Sequence, residues 1–283
     1  MENLDKEKFE VIPVLISKDG KFDEAKVKSS DVVFPVLHGK GGEDGTIQKY
    51  LEGIGKPYVG ADPEGSINTL DKIKTKTILR NLHLPIPSFQ FFSKEEWEKS
   101  PAEISNNIMP PVFIKPALTG SSYGISKVKI SSEIDQAVNE ALEYDDNIIV
   151  EEALDDIREI EISVLGNNEL TISVPGEIVP AEEFYSYDAK YKLDSKLIIP
   201  AELSNEQIEE IEDLAERVYR ALKIRGMARV DFFVDKFSGK IYINEANTIP
   251  GFTSISMYPK LMEASGVSYK NLLTRLIELG LEK

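Results

Sequence analysis

Two short segments near the carboxyl end of the chain are predicted to form neighbouring β-strands that carry charged and amide side chains. The first strand holds Arg229 and Asp231 at alternate positions, and the second ends with Glu245 and Asn247. Because side chains alternate across a strand, Arg229 and Asp231 are expected on one face. The same alternation predicts four residues on one face of the second strand: Ile241, Ile243, Glu245 and Asn247.

These strands offer two carboxylates and one amide oxygen, with no His or Cys nearby. Oxygen ligands suit a hard cation such as Mg²⁺ and suit zinc or copper poorly. The predicted metal ligands are therefore Asp231, Glu245 and Asn247. Taken alone, the pattern is equally compatible with a hairpin whose acidic residues face water.

The chain as a whole is acidic, which limits its partners. Its 33 Lys and Arg residues stand against 49 Asp and Glu residues, giving a net charge of −16 over 283 residues. This charge repels nucleic acid and anionic membranes, so neither is expected as a partner. A site for a polyanion must therefore be a local positive pocket built from particular lysines, arginines and helix N-termini.

Two absences in the sequence narrow the chemistry and the compartment. The chain has no cysteine, which excludes disulfides, thiolate metal sites and a cysteine nucleophile. It also has no apolar run of membrane-spanning length, and its start lacks the pattern of a secretion signal. We therefore expect a cytoplasmic protein.

The first 60 residues read as the beginning of an α/β unit. Phe9–Ser17 and Asp31–Leu37 are predicted as strands, and Thr46–Gly53 as a helix after a glycine-rich turn. Ligands usually bind where such strands end at their carboxyl side, so His38 and Glu43 are expected at the edge of a site. An equally good interpretation is that the glycines only make a tight turn.

The middle of the chain combines lysines with a loop of small residues. Lys72–Leu82 is predicted as a helix, and Lys115 is a single lysine in an otherwise apolar strand. The loop that follows holds Ser121 and Ser122 between two glycines and leads into a strand over Ile125–Ile130. Its backbone amides and hydroxyls suit phosphates, although an ordinary hairpin explains the loop as well.

The second half adds an acidic strand end, an aromatic segment and a long helix. Glu151 lies in a predicted strand over Ile148–Leu154, where an acidic side chain meets either a ribose hydroxyl or only solvent. The irregular segment Glu182–Asp194 has three tyrosines and two lysines and is predicted to be a functional loop or lid. Ser204–Leu222 is predicted as an amphipathic helix with Ser204 as its N-cap.

Seven motifs occur in a fixed order along the chain: His38-Gly-x-x-Gly-Glu43-Asp44-Gly-Thr, Asp71-Lys72, Ile114-Lys115-Pro, Gly120-Ser-Ser-x-Gly124, Tyr187-Asp-Ala-Lys190-Tyr191, Arg229-Val-Asp231 and Asn244-Glu245-x-Asn247-Thr-x-Pro-Gly. Together they resemble the D-alanine:D-alanine ligases, which have the ATP-grasp fold, from about Leu4 to the carboxyl end. The resemblance implies an α/β protein with an incomplete N-terminal parallel α/β domain (1–60), a central ATP-grasp lobe (61–151) and a C-terminal ATP-grasp lobe (152–283).

The resemblance also implies a reaction and its participants. ATP would phosphorylate the carboxylate of one D-alanine, and the amine of a second would attack the acyl phosphate to give D-alanyl-D-alanine for peptidoglycan. The expected ligands are ATP, D-alanine and two metal ions, Mg²⁺ or Mn²⁺, shared by Asp231, Glu245 and Asn247. Family members are commonly homodimers, so a homodimer is expected.

Roles follow by resemblance for the remaining positions. The phosphate-binding lysines would be Lys72, Lys115 and Lys190, with Ser121 and Ser122 closing over the phosphates. The nucleotide hinge would comprise Glu151, Glu152, Leu154 and Glu159. Arg229 and the Gly251 amide match the groups that stabilise the tetrahedral oxyanion. Substrate contacts are expected at three positions, of which the last two begin a helix over Ser256–Ala264: His38, Ser256 and Met257.

The sequence departs from the family at its beginning. Family members start with a strand, a Gly-Gly-x-Ser-x-Glu type loop and a helix, and the loop glutamate forms a hydrogen-bonded triad with the residues matching Tyr191 and Ser121. Only the end of that helix is recognisable, at Asn3-Leu4-Asp5-Lys6, so about two dozen residues are expected to be absent. Either Met1 is the true start or it is an internal methionine of a longer protein.

Three functional interpretations therefore stay open on the sequence. The chain is a dipeptide-forming ligase, or a truncated relative that binds ATP without ligase activity, or an ATP-grasp ligase that uses D-lactate or D-serine as the second substrate. Tyr191 resembles the lid tyrosine of the dipeptide-forming enzymes and favours the first.

Overall fold

The computed structural model of the chain describes residues 3–120, 123–179 and 196–282. These residues form ten α-helices: α1 (Glu24–Ser29), α2 (Thr46–Gly53), α3 (Pro63–Leu70), α4 (Lys72–Asn81), α5 (Lys94–Lys99), α6 (Pro101–Asn107), α7 (Ile134–Ala141), α8 (Asn205–Ala221), α9 (Met257–Ala264) and α10 (Tyr269–Leu281). The mixed α/β class expected from the sequence is confirmed.

The same residues form ten strands: β1 (Phe89–Ser93), β2 (Val112–Pro116), β3 (Ser126–Val128), β4 (Asn147–Glu152), β5 (Ile157–Gly166), β6 (Leu170–Ile172), β7 (Gly176–Val179), β8 (Lys196–Ile198), β9 (Gly226–Asp235) and β10 (Ile241–Asn247). They build two sheets whose strand pairs are all antiparallel. One sheet has the order β1-β4-β2-β3, and the other has the order β10-β9-β5-β7-β8 with β6 also paired to β5.

The six-stranded sheet packs one face against α8, and its other face packs in part against α9 and α10, through Leu165 and Met227, and in part carries polar side chains. Alternate residues of β5 and β9 enter the largest core cluster, for example Ile160, Ile162 and Val230. The residues between them point to the opposite side of the sheet because strand side chains alternate. That opposite side carries Glu161, Arg229 and Asp231.

The long helix predicted over 204–222 is confirmed as α8. Its buried residues recur at helical spacing: Ile211, Leu214, Ala215, Val218 and Tyr219. Ser204 is the N-cap, and it forms a capping box in which its hydroxyl accepts from the Gln207 amide while the Gln207 side chain accepts from the Ser204 amide. The cap and the apolar stripe together explain where the helix begins and which face it buries.

The four-stranded sheet is built in the same way around a smaller core. Val112, Ile114, Ile148 and Val150 pack against an apolar stripe of α7 and against Trp97. Their strand neighbours Lys115 and Glu151 therefore lie on the other face. Each of the two sheets thus carries charged side chains on the face opposite its main core.

The N-terminal segment differs from the prediction. Phe9–Ser17 has no regular strand, and Leu15 is 87% exposed. A strand needs a hydrogen-bonding neighbour, and no described segment forms a ladder with this one. The predicted strand over Asp31–Leu37 is reduced to one parallel bridge between Val33 and Tyr58, on either side of α2. The bridge is parallel, as a strand–helix–strand connection requires, and the incomplete α/β domain over 1–60 stays a prediction.

Helix α4 lies between the two sheets. Its side chain Lys76 contacts Glu151 of the four-stranded sheet and the Ile243 carbonyl of β10. The residues after α4 also reach β10, because the Ile243 amide donates to the Pro85 carbonyl at 2.8 Å. The polar faces of both sheets are thereby held beside the same helix. The domain limits at 60 and 151 stay a prediction.

Within the described ranges, no helix is both long enough and apolar enough to cross a lipid bilayer.

The capping box of α8 provides a test of the fold. Ser204→Ala removes the side-chain acceptor for the Gln207 amide, so we expect the free energy of unfolding to fall by about 1 kcal/mol. Urea denaturation monitored by circular dichroism measures this change. Ser204→Asp keeps an acceptor oxygen at the N-cap and should retain the stability of the unchanged chain; equal stability of the alanine variant would refute the cap's contribution.

Candidate functional site

A cavity of about 380 Å³ lies between the polar faces of the two sheets and helix α4. Its walls include ten of the residues singled out from the sequence: His38, Lys72, Lys115, Glu151, Arg229, Glu245, Asn247, Gly251, Ser256 and Met257. Residues separated by more than 200 positions in the chain therefore share one site. The six-stranded sheet forms one side of this cavity, and the lysines form the other.

Three charged side chains meet at one wall of the cavity. The Lys115 ammonium lies 2.9 Å from Oε2 of Glu151, and the Lys76 ammonium lies 3.5 Å from the same oxygen. Burial by itself raises the pKa of Glu151, but the charges of Lys115 and Lys76 outweigh burial and hold that pKa at about 2. Glu151 is therefore ionised and carries two cations on one carboxylate.

Lys72 stands one helical turn before Lys76 and also faces the cavity. Its ammonium donates to the Thr119 carbonyl, in the loop that precedes the predicted phosphate flap. Burial lowers the pKa of Lys72 to about 8, with Glu245 the strongest of the charges that oppose this shift. Near neutral pH, Lys72 is thus a charged ammonium at the edge of the cavity.

Arg229 is fixed by two carboxylates on the polar face of the six-stranded sheet. It donates two hydrogen bonds of 2.7 Å to Asp231, and its Nε lies 3.0 Å from Oε2 of Glu161. Although burial alone lowers the pKa of Arg229, Asp231 and Glu161 raise the pKa well above its ordinary value. The guanidinium is therefore a permanently charged group held in one orientation.

Strand β10 presents its polar side chains to this site through an irregularity that the sequence analysis did not predict. Ile243 pairs with Phe232 while Glu245 pairs with Asp231, so Asn244 is an extra residue in a β-bulge. The bulge reverses the alternation: Ile241 and Ile243 enter the core, whereas Glu245 and Asn247 line the cavity. The prediction that these four residues share one face was wrong, because it assumed an unbroken strand.

The bulge brings three carboxylates into one row. Glu161 pairs with Asp231, and Asp231 pairs with Glu245, on the adjacent strands β5, β9 and β10. The next row holds Arg229 opposite Asn247. This register places the predicted metal ligands side by side and sets the guanidinium next to them.

The N-terminal side of the cavity is formed by His38 and Glu43. Glu43 accepts a hydrogen bond from the Gly39 amide, which closes the glycine-rich turn. Burial raises the pKa of Glu43 from its ordinary value, and Glu245 adds to this rise from across the cavity. The turn therefore brings an acidic side chain to the site, in addition to shaping the backbone.

The loop before α9 forms the far end of the cavity. A Cβ on Gly251 would lie 2.5 Å from the Ser256 hydroxyl, so any larger residue here would displace that hydroxyl. The Ser256 hydroxyl accepts from the Thr253 amide at 3.0 Å and makes no cap bond to α9. The Gly251 backbone and the amino end of α9 therefore face the same space.

Several predicted site residues do not line this cavity. Asp231 is not part of the lining, but it holds Arg229, which is. Three predicted hinge residues also lie outside the lining: Glu152, Leu154 and Glu159. The Glu152 carboxylate instead accepts from the Ser88 amide at 3.4 Å. The remaining predicted residues, together with the lid over 182–194, lie outside the described residues: Ser121, Ser122, Lys190 and Tyr191.

Two charged residues of the site were missed by the sequence analysis. Lys76 follows Lys72 by four positions, so helical periodicity places both lysines on one face of α4. Glu161 stands between Ile160 and Ile162, which indicates a side chain on the polar face of β5. The signals were present in both cases, but burial of the two charges was visible only in the packed structure.

Glu245 and Asn247 line the cavity with oxygen donors of the kind that a hard divalent cation prefers, whereas both carboxylate oxygens of Asp231 accept hydrogen bonds from Arg229. Among the described residues, no cluster of three or more His, Cys, Asp or Glu side chains could hold a metal ion by itself. Mg²⁺ is usually bound by one or two carboxylates together with substrate phosphates, and does not need a complete protein cage. The lysines across the cavity suit such phosphates.

Comparisons with known proteins agree with this geometry. The family model described as "D-ala D-ala ligase C-terminus" matches residues 78–278, and the one described as "D-ala D-ala ligase N-terminus" matches residues 22–61. A D-alanine–D-alanine ligase of Caldicellulosiruptor bescii is 46% identical, and the alignment covers 100% of this chain and 89% of the relative. One of Heliobacterium modesticaldum is 48% identical, with 89% and 70% covered.

Solved structures show the same likeness. The VanG D-Ala:D-Ser ligase of Enterococcus faecalis superposes with a TM-score of 0.88 at 36% identity, covering 99% of this chain and 92% of that one. The D-alanine-D-alanine ligase of Coxiella burnetii superposes with a TM-score of 0.76 at 38% identity, covering 90% and 68%. Sequence and structure thus agree over nearly the whole chain, which belongs to the D-alanine–D-alanine ligase family.

Proposed function

We propose that the chain joins two D-alanine molecules into D-alanyl-D-alanine, with conversion of ATP to ADP and phosphate, for the synthesis of peptidoglycan precursors. The observation that carries this proposal is the cavity in which Lys72 and Lys115 face Arg229 and Glu245. Phosphoryl transfer mainly requires positioned positive charge, and this arrangement supplies it inside a protein of net charge −16.

The first step is phosphorylation of a D-alanine carboxylate by ATP. Lys72 and Lys115 are proposed to hold the ATP phosphates, since both ammonium groups line the cavity. The phosphoryl group stays negatively charged and close to these lysines while it is transferred. The lysines therefore stabilise the phosphates before and during transfer. Lys190, Ser121 and Ser122 are proposed to complete this phosphate site.

The second step is attack of the second D-alanine amine on the acyl phosphate. Its tetrahedral oxyanion is proposed to be stabilised by Arg229 and the Gly251 amide. Asp231 and Glu161 keep the guanidinium in place, so little reorganisation is needed as negative charge develops. Ser256 and Met257, where α9 begins, are proposed to receive the carboxylate of the second D-alanine.

The residues proposed to hold divalent metal are Asp231, Glu245 and Asn247. When bound there, Mg²⁺ or Mn²⁺ neutralises phosphate charge and acts as a Lewis acid on the transferring group. Two ions per site are proposed from the family resemblance. Asp231 and Glu245 are paired on adjacent strands, and Asp231 would have to share its carboxylate between an ion and Arg229.

Some expectations from the sequence stay predictions. They are the nucleotide hinge at Glu152, Leu154 and Glu159, the triad role of Tyr191, substrate contact by His38, a cytoplasmic location and a homodimer. D-serine is a second candidate for the acceptor, because VanG, with its TM-score of 0.88, is named a D-Ala:D-Ser ligase.

The ligase proposal is tested by phosphate release from MgATP with and without D-alanine. We expect release to require D-alanine, and Lys115→Ala to reduce kcat/KM for ATP on the order of a hundredfold, because a charge beside the phosphates is lost. Lys94→Ala is the matched control: Lys94 is a half-exposed lysine remote from the cavity, and its loss should change kcat/KM by less than about twofold.

The outcomes of this assay separate the three interpretations. ATP binding without D-alanine-dependent phosphate release would favour the ATP-binding, ligase-inactive alternative. If phosphate is released, mass spectrometry of products formed with D-alanine, D-serine and D-lactate together identifies the acceptor. A mixed depsipeptide or D-alanyl-D-serine as the main product would overturn the assignment of D-alanine as the second substrate.

The lowered pKa of Lys72 predicts a pH dependence of nucleotide binding. Lys72 is charged below about pH 8 and neutral above it, so the dissociation constant of MgATP should rise as the pH increases through 8. Titration calorimetry between about pH 7 and 10 measures this, in a range above the second pKa of a phosphate ester, which is about 6. In Lys72→Arg, which stays charged, the rise near pH 8 should disappear; its persistence would assign the titration to another group.

The proposed metal site predicts a changed magnesium requirement. Glu245→Gln removes one carboxylate charge at the end of β10, so the Mg²⁺ concentration for half-maximal phosphate release should increase on the order of tenfold. Glu209→Gln removes the same charge from the exposed side of α8 and serves as the control. An unchanged magnesium requirement in Glu245→Gln would remove Glu245 from the metal site.

A further inference from the structure

Lys76 is a buried charge to which the family resemblance assigned no role. It lies on α4, is 2% exposed, and points between the two sheets. An ammonium group out of contact with water is costly unless it is paired, and burial lowers the pKa of Lys76. The contacts of Lys76 therefore indicate why a lysine occupies this position.

Those contacts join the two halves of the cavity. The Lys76 ammonium lies 3.5 Å from Oε2 of Glu151 and 3.4 Å from the Ile243 carbonyl oxygen. Glu151 belongs to the four-stranded sheet, and Ile243 lies on β10 just before the bulge that turns Glu245 into the cavity. One side chain thus links the wall that holds Lys115 to the strand that holds Glu245.

The pairing with Glu151 bears directly on Lys115. Both lysines approach the same carboxylate oxygen, Lys115 at 2.9 Å and Lys76 at 3.5 Å. Two cations on one carboxylate leave a net positive charge, which attracts an anion into the cavity. If Lys76 were neutral, the ionised Glu151 carboxylate would pair with Lys115 alone and would compete with an incoming phosphate for that ammonium.

We propose that Lys76 is a positioning residue that satisfies the charge of Glu151 and so leaves Lys115 available to bind the phosphates of the nucleotide. Through its contact with the Ile243 carbonyl it also keeps this wall in register with β10. The inference rests on the proposed function in one respect: it takes nucleotide phosphates as the anion that Lys115 binds. Lys76 itself needs no contact with the nucleotide.

Binding of MgATP and of adenosine to the full chain tests this role. Lys76→Met keeps the length and apolar stem but removes the charge, so MgATP should bind on the order of tenfold more weakly. Adenosine has no phosphate, and its affinity should change by less than about twofold. Lys74→Met removes an exposed charge from the same helix and should leave both affinities unchanged.

A second substitution distinguishes charge positioning from packing. If Lys76 acts by satisfying Glu151, then Glu151→Gln should restore MgATP binding in the Lys76→Met background to within about threefold of the unchanged chain. A packing defect would persist, because Gln has nearly the shape of Glu. Either of two results would overturn the proposal. One is an equal loss of affinity for MgATP and for adenosine in Lys76→Met. The other is a loss of MgATP affinity in the double variant that equals the product of the losses in the two single variants.

Thermal melting of each variant makes the result interpretable if Lys76→Met is unstable. A double variant that folds when Lys76→Met does not would support the proposal, since the two variants differ only in the charge of Glu151, which in Lys76→Met is balanced by Lys115 and no longer by Lys76. Failure of both to fold would overturn it in favour of a structural role. Failure of the ligase proposal is distinguishable: it appears as MgATP binding without D-alanine-dependent phosphate release, and the binding measurements are unaffected by it.

Discussion

The shared carboxylate of Glu151 is the interaction around which the cavity is organised. It accepts Lys115 from its own sheet and Lys76 from α4, and Lys76 continues to the backbone of β10. Buried charges are tolerated only when they are paired, so the position of each group depends on the others. The two sheets, which have separate cores, are therefore joined at the site by electrostatic contacts as well as by packing.

The site gathers positive side chains, although the protein as a whole is acidic. A chain with 49 acidic and 33 basic residues repels polyanions, yet Lys72, Lys76, Lys115 and Arg229 are gathered around one cavity. Three of the described acidic residues pair with these cations: Asp231 and Glu161 orient Arg229, and Glu151 contacts two lysines. Fixed, partly desolvated cations bind phosphates more strongly than mobile surface lysines do. Local arrangement thus outweighs net charge.

Much of the fold could be predicted because local rules agree with the packing. Ser204 begins α8 as predicted, since its capping box depends only on neighbouring residues. The prediction for Phe9–Ser17 was wrong for the opposite reason: an apolar run becomes a strand only beside a partner, which the local sequence does not reveal. The face of Glu245 was misassigned relative to Ile243 because a bulge depends on how two strands pair.

The sequence by itself determined the family and the long helix α8, and its motifs predicted the lysines at 72 and 115 and the oxygen donors at 231, 245 and 247 as site residues. Short motifs carry this information because each needs particular residue types at fixed spacing. Only the tertiary structure decided that Lys76 and Glu161 belong to the site and that Glu151 is shared by two lysines. Such pairings join residues far apart in the chain, and their strength comes from burial, which arises only when the sheets and α4 pack together.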